Sequence, residues 1–449
     1  MSEYGAITEN SPVIIVGGGF AGLVAANELK RSGVPFILFE GGESIGGLAQ
    51  TYIDERGFKF DLGTHLITNR LARELGLEGE CSPAVYFGES VWLKNRLYSY
   101  PFGLLRNIHY LVGALGSRMH FFRHRAAASL MDRFRYEYGK DMADEVAIPL
   151  TEKLTGVAAS DLSPETGDKL PGIVQTIYLR LAGFVTGKAV AIGYCMELPE
   201  RWDVWHVYPN EGLNIISCNL GQRVNEHIRL NAAVEKIIVE NEKVSGVQVD
   251  GKLIRASVII NTAPVNVLPG LIHGSGRLNY LREFRYSAIV CITILVEGKR
   301  VLPNAAVWVP EREYPFFRLT EPTWSMPWLS PEGKSIITVD IGCKTIDETW
   351  NYSDKEWLEM VMPHLEKILP SISHRIIGYK AVKTKFGYPV YLKKYESLRK
   401  QFLASSGIKG LFSIGRNGEF SHVLMEDVYI RTKKKMKDII SNHFSKDYT

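Results

Sequence analysis

The chain is poor in the features that define several common classes of protein. It has only five cysteines in 449 residues, and they are scattered, with no CxxC pair and no Cys/His cluster at metal-ligand spacing. This pattern gives neither a disulfide framework nor a metal site, and it fits a reduced, cytoplasmic setting. The polar N-terminus MSEYGAITEN does not resemble a signal peptide. No uninterrupted apolar run reaches the roughly 18–20 residues of a membrane-spanning helix, so we expect no integral membrane segment.

A large excess of one charge is also missing. The formal net charge of +4 is small for a chain of this length and gives no reason to expect a nucleic-acid partner. The basic run at 433–437 is expected to lie in the last turns of a helix, where cations are favourable. Hydrophobic residues make up 45% of the chain and charged residues 23%, as in ordinary globular proteins. A chain of 449 residues is too long for one core, so we expect two or three domains.

What the sequence does have is a glycine cluster between two apolar runs at 12–40, PVIIVGGGFAGLVAANELKRSGVPFILFE. The run Val13–Val16 predicts a strand that is buried on both faces. The good helix formers at 21–30 predict a helix that ends at the following Arg-Ser-Gly. The run Phe36–Phe39 predicts a second strand. The glycines between the first strand and the helix have the spacing G-x-G-x-x-G and are Gly17, Gly19 and Gly22.

This strand–glycine–helix unit predicts a dinucleotide-binding loop. The first glycine permits a tight turn, the second lets a phosphate approach the backbone, and the third lets the helix pack against the strand. The N-terminus of the helix supplies a favourable field for a pyrophosphate. Glu40 follows the second strand about twenty residues after the loop, where its carboxylate can accept hydrogen bonds from a ribose diol. An acid at this position favours FAD or NAD over NADP.

A second glycine pair separates FAD from NAD. Gly46 and Gly47 follow Glu40 closely, and another glycine turn there suggests a ligand that extends across the sheet, as FAD does. At this point the sequence resembles the FAD-dependent oxidoreductases that include amine oxidases, protoporphyrinogen oxidases and phytoene desaturases. It also resembles UDP-galactopyranose mutases, which share the fold. The resemblance implies an α/β fold with a Rossmann-like FAD-binding domain built from discontinuous segments, together with an α+β substrate domain that has a helical insertion.

The resemblance continues along the chain and implies further cofactor contacts. The segment GFKFDLGTHLITN at 57–69 resembles the family segment beside the isoalloxazine ring, and Tyr-Pro-x-x-Gly-Leu at 208–213 resembles the turn that returns the chain to the FAD domain. Val234 matches a position that contacts adenine through its backbone. Gly415 and Arg416 match a phosphate-contacting pair, which is followed by a helix whose N-terminus points at the pyrimidine end of the flavin.

The complete cofactor set and the domain division follow from the same resemblance. The implied cofactor-binding residues are Gly17, Gly19, Phe20, Ala21, Gly22, Glu40, Gly46, Gly47, Leu48, Gly63, Thr64, His65, Val234, Thr262, Gly415, Arg416 and Met425. The FAD-binding domain is expected at 1–70, 205–265 and 405–449, the helical insertion at 71–204, and a mixed-sheet substrate domain at 266–404. FAD is the expected cofactor, a small molecule is the expected substrate, no metal is expected, and the oligomeric state stays open.

Two reaction classes are compatible with this resemblance. The first is oxidation of an amine or C–H substrate by hydride transfer to flavin N5, with reoxidation by O2 or another acceptor. The second is a non-redox sugar-nucleotide mutase reaction on reduced FAD. It enters because EREYPFFRLTE resembles the mutase segment whose arginine binds the substrate diphosphate, and Arg318 falls on that arginine. The candidate catalytic residues are therefore Arg318 and two histidines beside the ring, His65 and His422.

The mutase interpretation has a difficulty in the C-terminal loop. Phe420, His422 and Leu424 take the approximate positions of the mutase tyrosines and aspartate that hold the diphosphate. Phenylalanine and leucine side chains can neither donate nor accept those hydrogen bonds, so oxidation is the preferred reaction. The amine-oxidase interpretation lacks a clear aromatic pair around the amine. Four aromatic residues could serve: Trp324, Trp328, Tyr388 and Tyr391. A third class, a redox-silent flavoprotein whose second domain binds a partner, is favoured by no feature of the sequence.

Overall fold

The computed structural model of the protein describes residues 11–100, 102–105, 108–119, 127–167 and 173–444. The β-strands within these ranges are β1 (Val13–Val16), β2 (Phe36–Phe39), β3 (Thr51–Ile53), β4 (Lys59–Asp61), β5 (Ile67–Thr68), β6 (Cys81–Pro83), β7 (Glu89–Leu93), β8 (Arg96–Ser99), β9 (His206–Pro209), β10 (Ile228–Arg229), β11 (Val234–Glu240), β12 (Lys243–Val249), β13 (Lys252–Arg255), β14 (Ile259–Asn261), β15 (Ile272–His273), β16 (Arg285–Glu297), β17 (Ala306–Trp308), β18 (Arg318–Thr320), β19 (Lys334–Cys343), β20 (Ile376–Val390) and β21 (Leu411–Ser413). The α-helices are α1 (Phe20–Arg31), α2 (Asn69–Leu75), α3 (Phe102–Leu105), α4 (Ile108–Met119), α5 (Leu130–Tyr138), α6 (Lys140–Met142), α7 (Ile148–Thr155), α8 (Ile173–Thr186), α9 (Asn214–Gln222), α10 (Leu268–Leu271), α11 (Asp354–Ile368), α12 (Glu396–Ala404), α13 (Gly415–Gly418) and α14 (Met425–Phe444).

A parallel five-stranded sheet lies between two hydrophobic cores. Its strand order is β10-β2-β1-β14-β21, and every neighbouring pair is parallel. Val13 and Ile15 belong to the core that includes α1 and α14. Ile14 and Val16 belong to the core on the opposite face, which includes β11 and β12. Burial of both faces is what the continuous apolar run of β1 predicts. The five strands come from three separated parts of the chain, which confirms the discontinuous Rossmann-like domain.

The opposite core is closed by a four-stranded sheet. β11, β12 and β13 form an antiparallel meander, and β15 pairs with β11 in parallel. The turn between β12 and β13 has positive φ at both Asp250 and Gly251, 50° and 71°, as a two-residue hairpin turn requires. The first strand of this sheet, β11, starts at Val234. The N–H of Ala232, two residues earlier, donates to the carbonyl oxygen of Glu40, so the start of β11 lies close to the acid that follows β2.

A mixed seven-stranded sheet forms the second half of the molecule, with the order β20-β16-β19-β18-β17-β7-β8. The helix α11 packs on it through the buried side chains of Trp357, Val361 and Leu365. The N-terminus of α11 is closed by a capping box in which Ser353 and Glu356 each bind the other's backbone N–H. Such a box satisfies two of the backbone donors that a helix start leaves unpaired.

Two strands of this sheet were expected to be helical. β7 and β8 lie within 71–204, yet they form a hairpin, and β7 pairs in parallel with β17. Lys94 and Asn95 make the turn with φ of 53° and 57°, a conformation that asparagine adopts more readily than most residues. The helical insertion therefore also supplies the edge of the substrate-domain sheet.

The helix α7 fixes the helical block to the seven-stranded sheet. The ammonium group of Lys153 donates hydrogen bonds to the carbonyl oxygens of Val309, Glu311 and Phe316, at 2.8, 2.5 and 3.0 Å. A Cβ atom on Gly342 of β19 would lie 2.2 Å from the carbonyl oxygen of Lys153. Glycine is needed there because the helix packs directly on the strand.

The helix α14 corrects the interpretation of the basic run. It extends from Met425 to Phe444, so 433–437 lies in its middle and not in its last turns. Lys433 forms an ion pair with Glu74 at 3.3 Å, and Lys435 forms one with Glu419 at 2.8 Å. These cations connect α14 to neighbouring segments.

Two further searches cover the described residues only. None of the helices in that part of the chain is both long and apolar enough to cross a bilayer. In the same residues, no group of three or more His, Cys, Asp or Glu side chains could hold a metal ion.

Candidate functional site

The first turn of α1 is the point at which β1, β14 and the predicted glycine loop meet. A Cβ atom on Gly22 would lie 2.0 Å from the carbonyl oxygen of Gly17, and a Cβ on Gly17 would lie 2.3 Å from the hydroxyl of Thr262. The Thr262 hydroxyl donates a hydrogen bond to the carbonyl oxygen of Val16 at 2.8 Å. The glycines therefore allow the loop, the helix and the strand after β14 to approach more closely than side chains would permit.

Glycines from two distant segments complete a cradle around the same helix start. The N–H of Gly46 donates to the carbonyl oxygen of Gly18 at 2.9 Å, and a Cβ on Gly47 would lie 3.2 Å from the Cα of Gly19. A Cβ on Gly415 would lie 2.5 Å from the Cβ of Ala21. Helix α1 has no side-chain cap and no acid in its first turn. No side chain therefore caps the first amides of α1, which fits an incoming phosphate at this helix start.

Glu40 lies at one end of this cradle. Its Oε2 atom accepts a hydrogen bond from the N–H of Gly18 at 2.7 Å, and its Oε1 atom accepts one from the N–H of Gly42 at 2.8 Å. The N–H of Ala232 donates to the Glu40 carbonyl oxygen at 2.9 Å. The structure thus brings the acid, the glycine loop and the segment just before Val234 together. Three other predicted cofactor residues lie at the start of α1 (Phe20), directly after the second glycine pair (Leu48) and at the start of α14 (Met425).

The segment Gly63-Thr64-His65 lies against the seven-stranded sheet. A Cβ on Gly63 would lie 3.9 Å from Cys291 Sγ. The hydroxyl groups of Thr64 and Thr320 share a hydrogen bond at 2.7 Å. Burial, together with a nearby carboxylate, raises the pKa of Cys291 well above its usual value, so the thiol stays neutral. The loop that carries His65 is therefore fixed to the strand that carries the candidate arginine.

Arg318 is held in this region by an acid on the neighbouring strand. Cys291, Asp340 and Arg318 are register partners on β16, β19 and β18. The Nε atom of Arg318 donates to Asp340 Oδ2 at 2.6 Å, and the Asp340 side chain is almost completely buried. Burial disfavours the charge on Arg318, but Asp340 outweighs it and raises the pKa of Arg318 above its usual value. Among the described residues, the two terminal nitrogens of Arg318 have no hydrogen-bond partner.

The wall opposite Arg318 comes from the helical block and from β7. Glu89 Oε1 accepts a hydrogen bond from the indole of Trp308 at 3.0 Å, and Glu89 Oε2 pairs with Arg180 at 3.3 Å. Trp308 also lies under the Arg318 guanidinium, 5.2 Å from ring centroid to Cζ. Tyr194 is partly buried nearby, and desolvation, with Glu89 adding to it, raises the pKa of its phenol. No part of the sequence signalled Glu89, Arg180 or Tyr194, because their partners lie far away along the chain.

Arg416 is a partly exposed residue whose guanidinium Nε lies buried, without an acidic partner among the described residues. Its Nη2 atom donates to the carbonyl oxygen of Gly387 at 2.5 Å, and its Nη1 atom contacts that of Val423 at 3.4 Å. Its guanidinium lies 4.9 Å from the centroid of the Tyr388 ring. The Nε atom is buried without a hydrogen-bond partner, and no carboxylate of the described residues pairs with this side chain. Burial lowers the pKa of Arg416 from its usual value. Gly415 lies at the helix start, but the Arg416 side chain extends away from it toward β20.

Of the predicted histidine and aromatic residues, some lie at the C-terminal loop and others lie elsewhere in the fold. The His422 ring packs edge-on against Tyr388, with centroids 4.9 Å apart, and the backbone N–H of His422 donates to the Tyr391 hydroxyl at 2.7 Å. Phe420 is fully buried and packs against Phe284 and other aromatic rings. Tyr388 and Tyr391 thus lie beside the loop. Trp324 lies elsewhere, since its indole donates to Leu302 and packs under Arg300.

A family model described as flavin containing amine oxidoreductase matches residues 20–431. The chain belongs to this family. The protein is therefore a flavin-dependent oxidoreductase, and the match confirms the resemblance drawn from its motifs. The cradle fits the group that the family implies, because the glycines let the loop, α1 and the strand after β14 meet closely around the first turn of α1, and because no side chain caps that helix start.

Relatives of this amine oxidoreductase share its fold over nearly the whole chain. The structure of a reduced UDP-galactopyranose mutase has a TM-score of 0.78 at 18% identity and covers 97% of this chain and 94% of that one. A proposed protoporphyrinogen oxidase from Exiguobacterium sp. 255-15 has a TM-score of 0.74 at 18% identity, with coverages of 97% and 99%. Identities this low show the fold alone.

A curated relative matches over a shorter stretch. The lycopene-forming phytoene desaturase of Pantoea ananas is 34% identical over 98 residues, 20% of this chain and 20% of the relative. The match thus spans about a fifth of the length of that protein, and it carries no statement about the substrate of this amine oxidoreductase.

Proposed function

We propose that the flavin is FAD and that the protein oxidises an amine or C–H substrate that carries an anionic group. The observation that carries the cofactor proposal is the path from Glu40 and Val234, past the glycine cradle, to the segment Gly63-Thr64-His65. An acid for a ribose, amides for a pyrophosphate and a second site at the opposite sheet suit an extended dinucleotide. We also propose a cytoplasmic location, and the division into a FAD-binding domain (1–70, 205–265, 405–449) and a substrate domain (71–204, 266–404).

FAD should be recovered intact from the purified protein. Flavin released by heat should run as FAD, and not as FMN, in chromatography with mass detection. Glu40→Gln should weaken flavin binding about 10- to 100-fold, because hydrogen bonds to a charged group contribute about 1.5–3 kcal/mol and 1.4 kcal/mol is tenfold. Glu43→Gln, an exposed acid on the same loop, is the matched control and should bind as the parent does. Release of FMN, or equal binding by Glu40→Gln, would contradict the proposal.

The substrate proposal rests on the side chains around Arg318. When bound, a flavin supplies a two-electron acceptor for the substrate. Arg318 donates its Nε to Asp340 and so holds both terminal nitrogens in one fixed plane, which suits a carboxylate or phosphate. The Thr64–Thr320 hydrogen bond keeps this strand against the loop of His65. His65 and His422 are the proposed groups beside the reacting atoms, and the neutral Cys291 closes the sheet side without adding a charge.

Loss of the paired terminal nitrogens of Arg318 should weaken substrate binding. With whichever substrate reduces the flavin, Arg318→Lys should raise KM about tenfold or more and change flavin content little, because lysine keeps the charge but cannot donate in a planar pair. Arg312→Lys is the control, since that arginine is exposed and pairs with Glu152. Stopped-flow measurements of flavin reduction give the substrate concentration at half-maximal rate and the maximal rate. An unchanged KM in Arg318→Lys would show that no anion binds there.

The reaction class is tested by anaerobic titration. The flavin absorbance is followed while amines, amino acids, polyenes, porphyrinogens and nucleotide sugars are added in turn. Bleaching by one class identifies an oxidation and its substrate type. The alternative is a non-redox sugar-nucleotide mutase, which the Arg318 position favours. It would give no bleaching and would turn over a nucleotide sugar only after dithionite reduction. The burial of Phe420 among aromatic rings weighs against it, because that side chain offers no hydrogen bond to a diphosphate.

A further inference from the structure

Asp61 is a buried carboxylate that is held by hydroxyl groups. It ends β4, and its residue is only 7% exposed. Its Oδ1 atom accepts a hydrogen bond from Thr51 Oγ1 at 2.6 Å, and the Tyr208 hydroxyl lies 2.8 Å from Oδ1 and 2.9 Å from Oδ2. Neither donor carries a charge. Burial of a carboxylate is costly unless it is paired or hydrogen-bonded, so this acid needs both hydroxyls and attracts any titratable cation beside it.

The Tyr-Pro-x-x-Gly-Leu motif positions the two hydroxyl groups that bind Asp61. Its tyrosine is Tyr208, and its leucine, Leu213, donates its N–H to Thr51 Oγ1 at 2.7 Å. Gly212 has φ of +91°, and a Cβ there would lie 2.6 Å from Thr51 Oγ1. The glycine is therefore required for Thr51 to reach the turn. Thr51, in turn, is left with its hydroxyl proton directed at the carboxylate.

The imidazole beside this carboxylate is that of His65. Its Nδ1 atom lies 3.5 Å from Asp61 Oδ2. That Nδ1 atom is buried and has no hydrogen-bond partner, while 30% of the His65 side chain is exposed. A proton on Nδ1 therefore faces the acid, and the Nε2 edge remains on the accessible side. The Thr64–Thr320 hydrogen bond fixes the backbone next to the ring.

We propose that Asp61 is a positioning residue for His65: it holds the proton on Nδ1 and leaves Nε2 as a hydrogen-bond acceptor toward the flavin and the substrate. Tyr208 and Thr51, through the Tyr-Pro-x-x-Gly-Leu motif, keep Asp61 in place. The arrangement follows the general rule that the partner of one imidazole nitrogen sets the state of the other. The proposal rests on the proposed function only in placing His65 beside the flavin.

The tautomer of His65 is measured in the flavin-loaded protein by nitrogen NMR after ¹⁵N-histidine labelling. The His65 signals are those lost in His65→Gln, out of eleven histidines. The parent should show one neutral tautomer, with the proton on Nδ1. Asp61→Asn should shift the population toward the Nε2–H form, and Tyr208→Phe should shift it in the same direction by less. Equal tautomer populations in the parent and both variants would overturn the proposal.

Kinetics and matched controls separate positioning from general structure. With a substrate from the titration panel, Asp61→Asn should lower kcat about tenfold and leave KM nearly unchanged, as partners of active groups do. Asp54→Asn and Tyr52→Phe are the controls, because Asp54 pairs with the exposed Arg56 and Tyr52 is exposed on the strand of Thr51. If Asp61→Asn does not fold, Tyr208→Phe decides alone. The tautomer measurement needs no substrate. Its outcome therefore tests the role of Asp61 even if the panel identifies no substrate and the proposed function fails.

Discussion

Gly22→Ala should produce a protein that retains no flavin and unfolds at a much lower temperature. The added Cβ atom would lie 2.0 Å from the carbonyl oxygen of Gly17, and a backbone carbonyl in a strand-to-helix turn cannot move aside as a side chain can. Overpacking a buried position costs about 1–3 kcal/mol, and a clash with backbone lies at the upper end. Because α1 would be pushed from β1, the cradle around the helix start would open. Thermal unfolding and the visible flavin absorbance measure the two effects.

A glycine-to-alanine change in open space is the matched control for Gly22. Gly116 lies inside α4, and a Cβ there would meet no atom within 4 Å. Alanine is favoured over glycine in a helix interior by roughly 0.5–1 kcal/mol, so Gly116→Ala should leave flavin content unchanged and stability equal or slightly higher. A Gly22→Ala protein with normal flavin content and melting temperature would show that the close packing of α1 on β1 is not required.

Arg416→Met should separate stability from cofactor binding. In the flavin-free protein, the change should raise the free energy of unfolding by about 1 kcal/mol, because it removes a partly buried charge without an acidic partner. In the same variant, flavin should bind about 10- to 100-fold more weakly. The lost hydrogen bonds to a charged group contribute about 1.5–3 kcal/mol. Urea unfolding of the flavin-free protein and a flavin titration measure the two quantities.

The control for Arg416 is a buried arginine that has its own acids. Arg399 is as buried as a core residue and pairs with Glu165 and Glu396. Arg399→Met should therefore destabilise the flavin-free protein and leave flavin affinity unchanged, the reverse of Arg416→Met. If both variants lose stability alike and both keep flavin, the charge of Arg416 has no role in holding the cofactor.

The cofactor half of the site could be predicted because its signals are local. Gly17, Gly19, Gly22 and Glu40 lie within one strand–helix–strand unit, and each needs a particular residue type for a reason that neighbouring residues reveal. Gly46 was singled out by the glycine pair that follows Glu40 and Gly415 by the resemblance, and the structure brings both to the start of α1.

The groups around the reacting end could not be predicted, because their partners are distant along the chain. Tyr208 reaches Asp61 across 147 residues, and Arg318 finds Asp340 only when β18 pairs with β19. The hairpin β7–β8 was not predicted for the same reason, because its short strands are held in the sheet by the pairing of β7 with the distant strand β17. The basic run was misplaced because the sequence after it carries no clear helix stop, and α14 continues to Phe444.

The order of strands in the five-stranded sheet has a consequence for biosynthesis. β1 and β2 leave the ribosome first, but β14 lies beside β1, and β21, which completes the edge, ends at Ser413. At about 5–20 residues per second, roughly 20–80 s separate the emergence of the first and last strands. For about the first half of that interval the apolar strand pair lacks its neighbours β10 and β14, and until the end of the interval it lacks α14. The nascent chain therefore exposes the apolar surface that α14 covers until α14 itself has been synthesised.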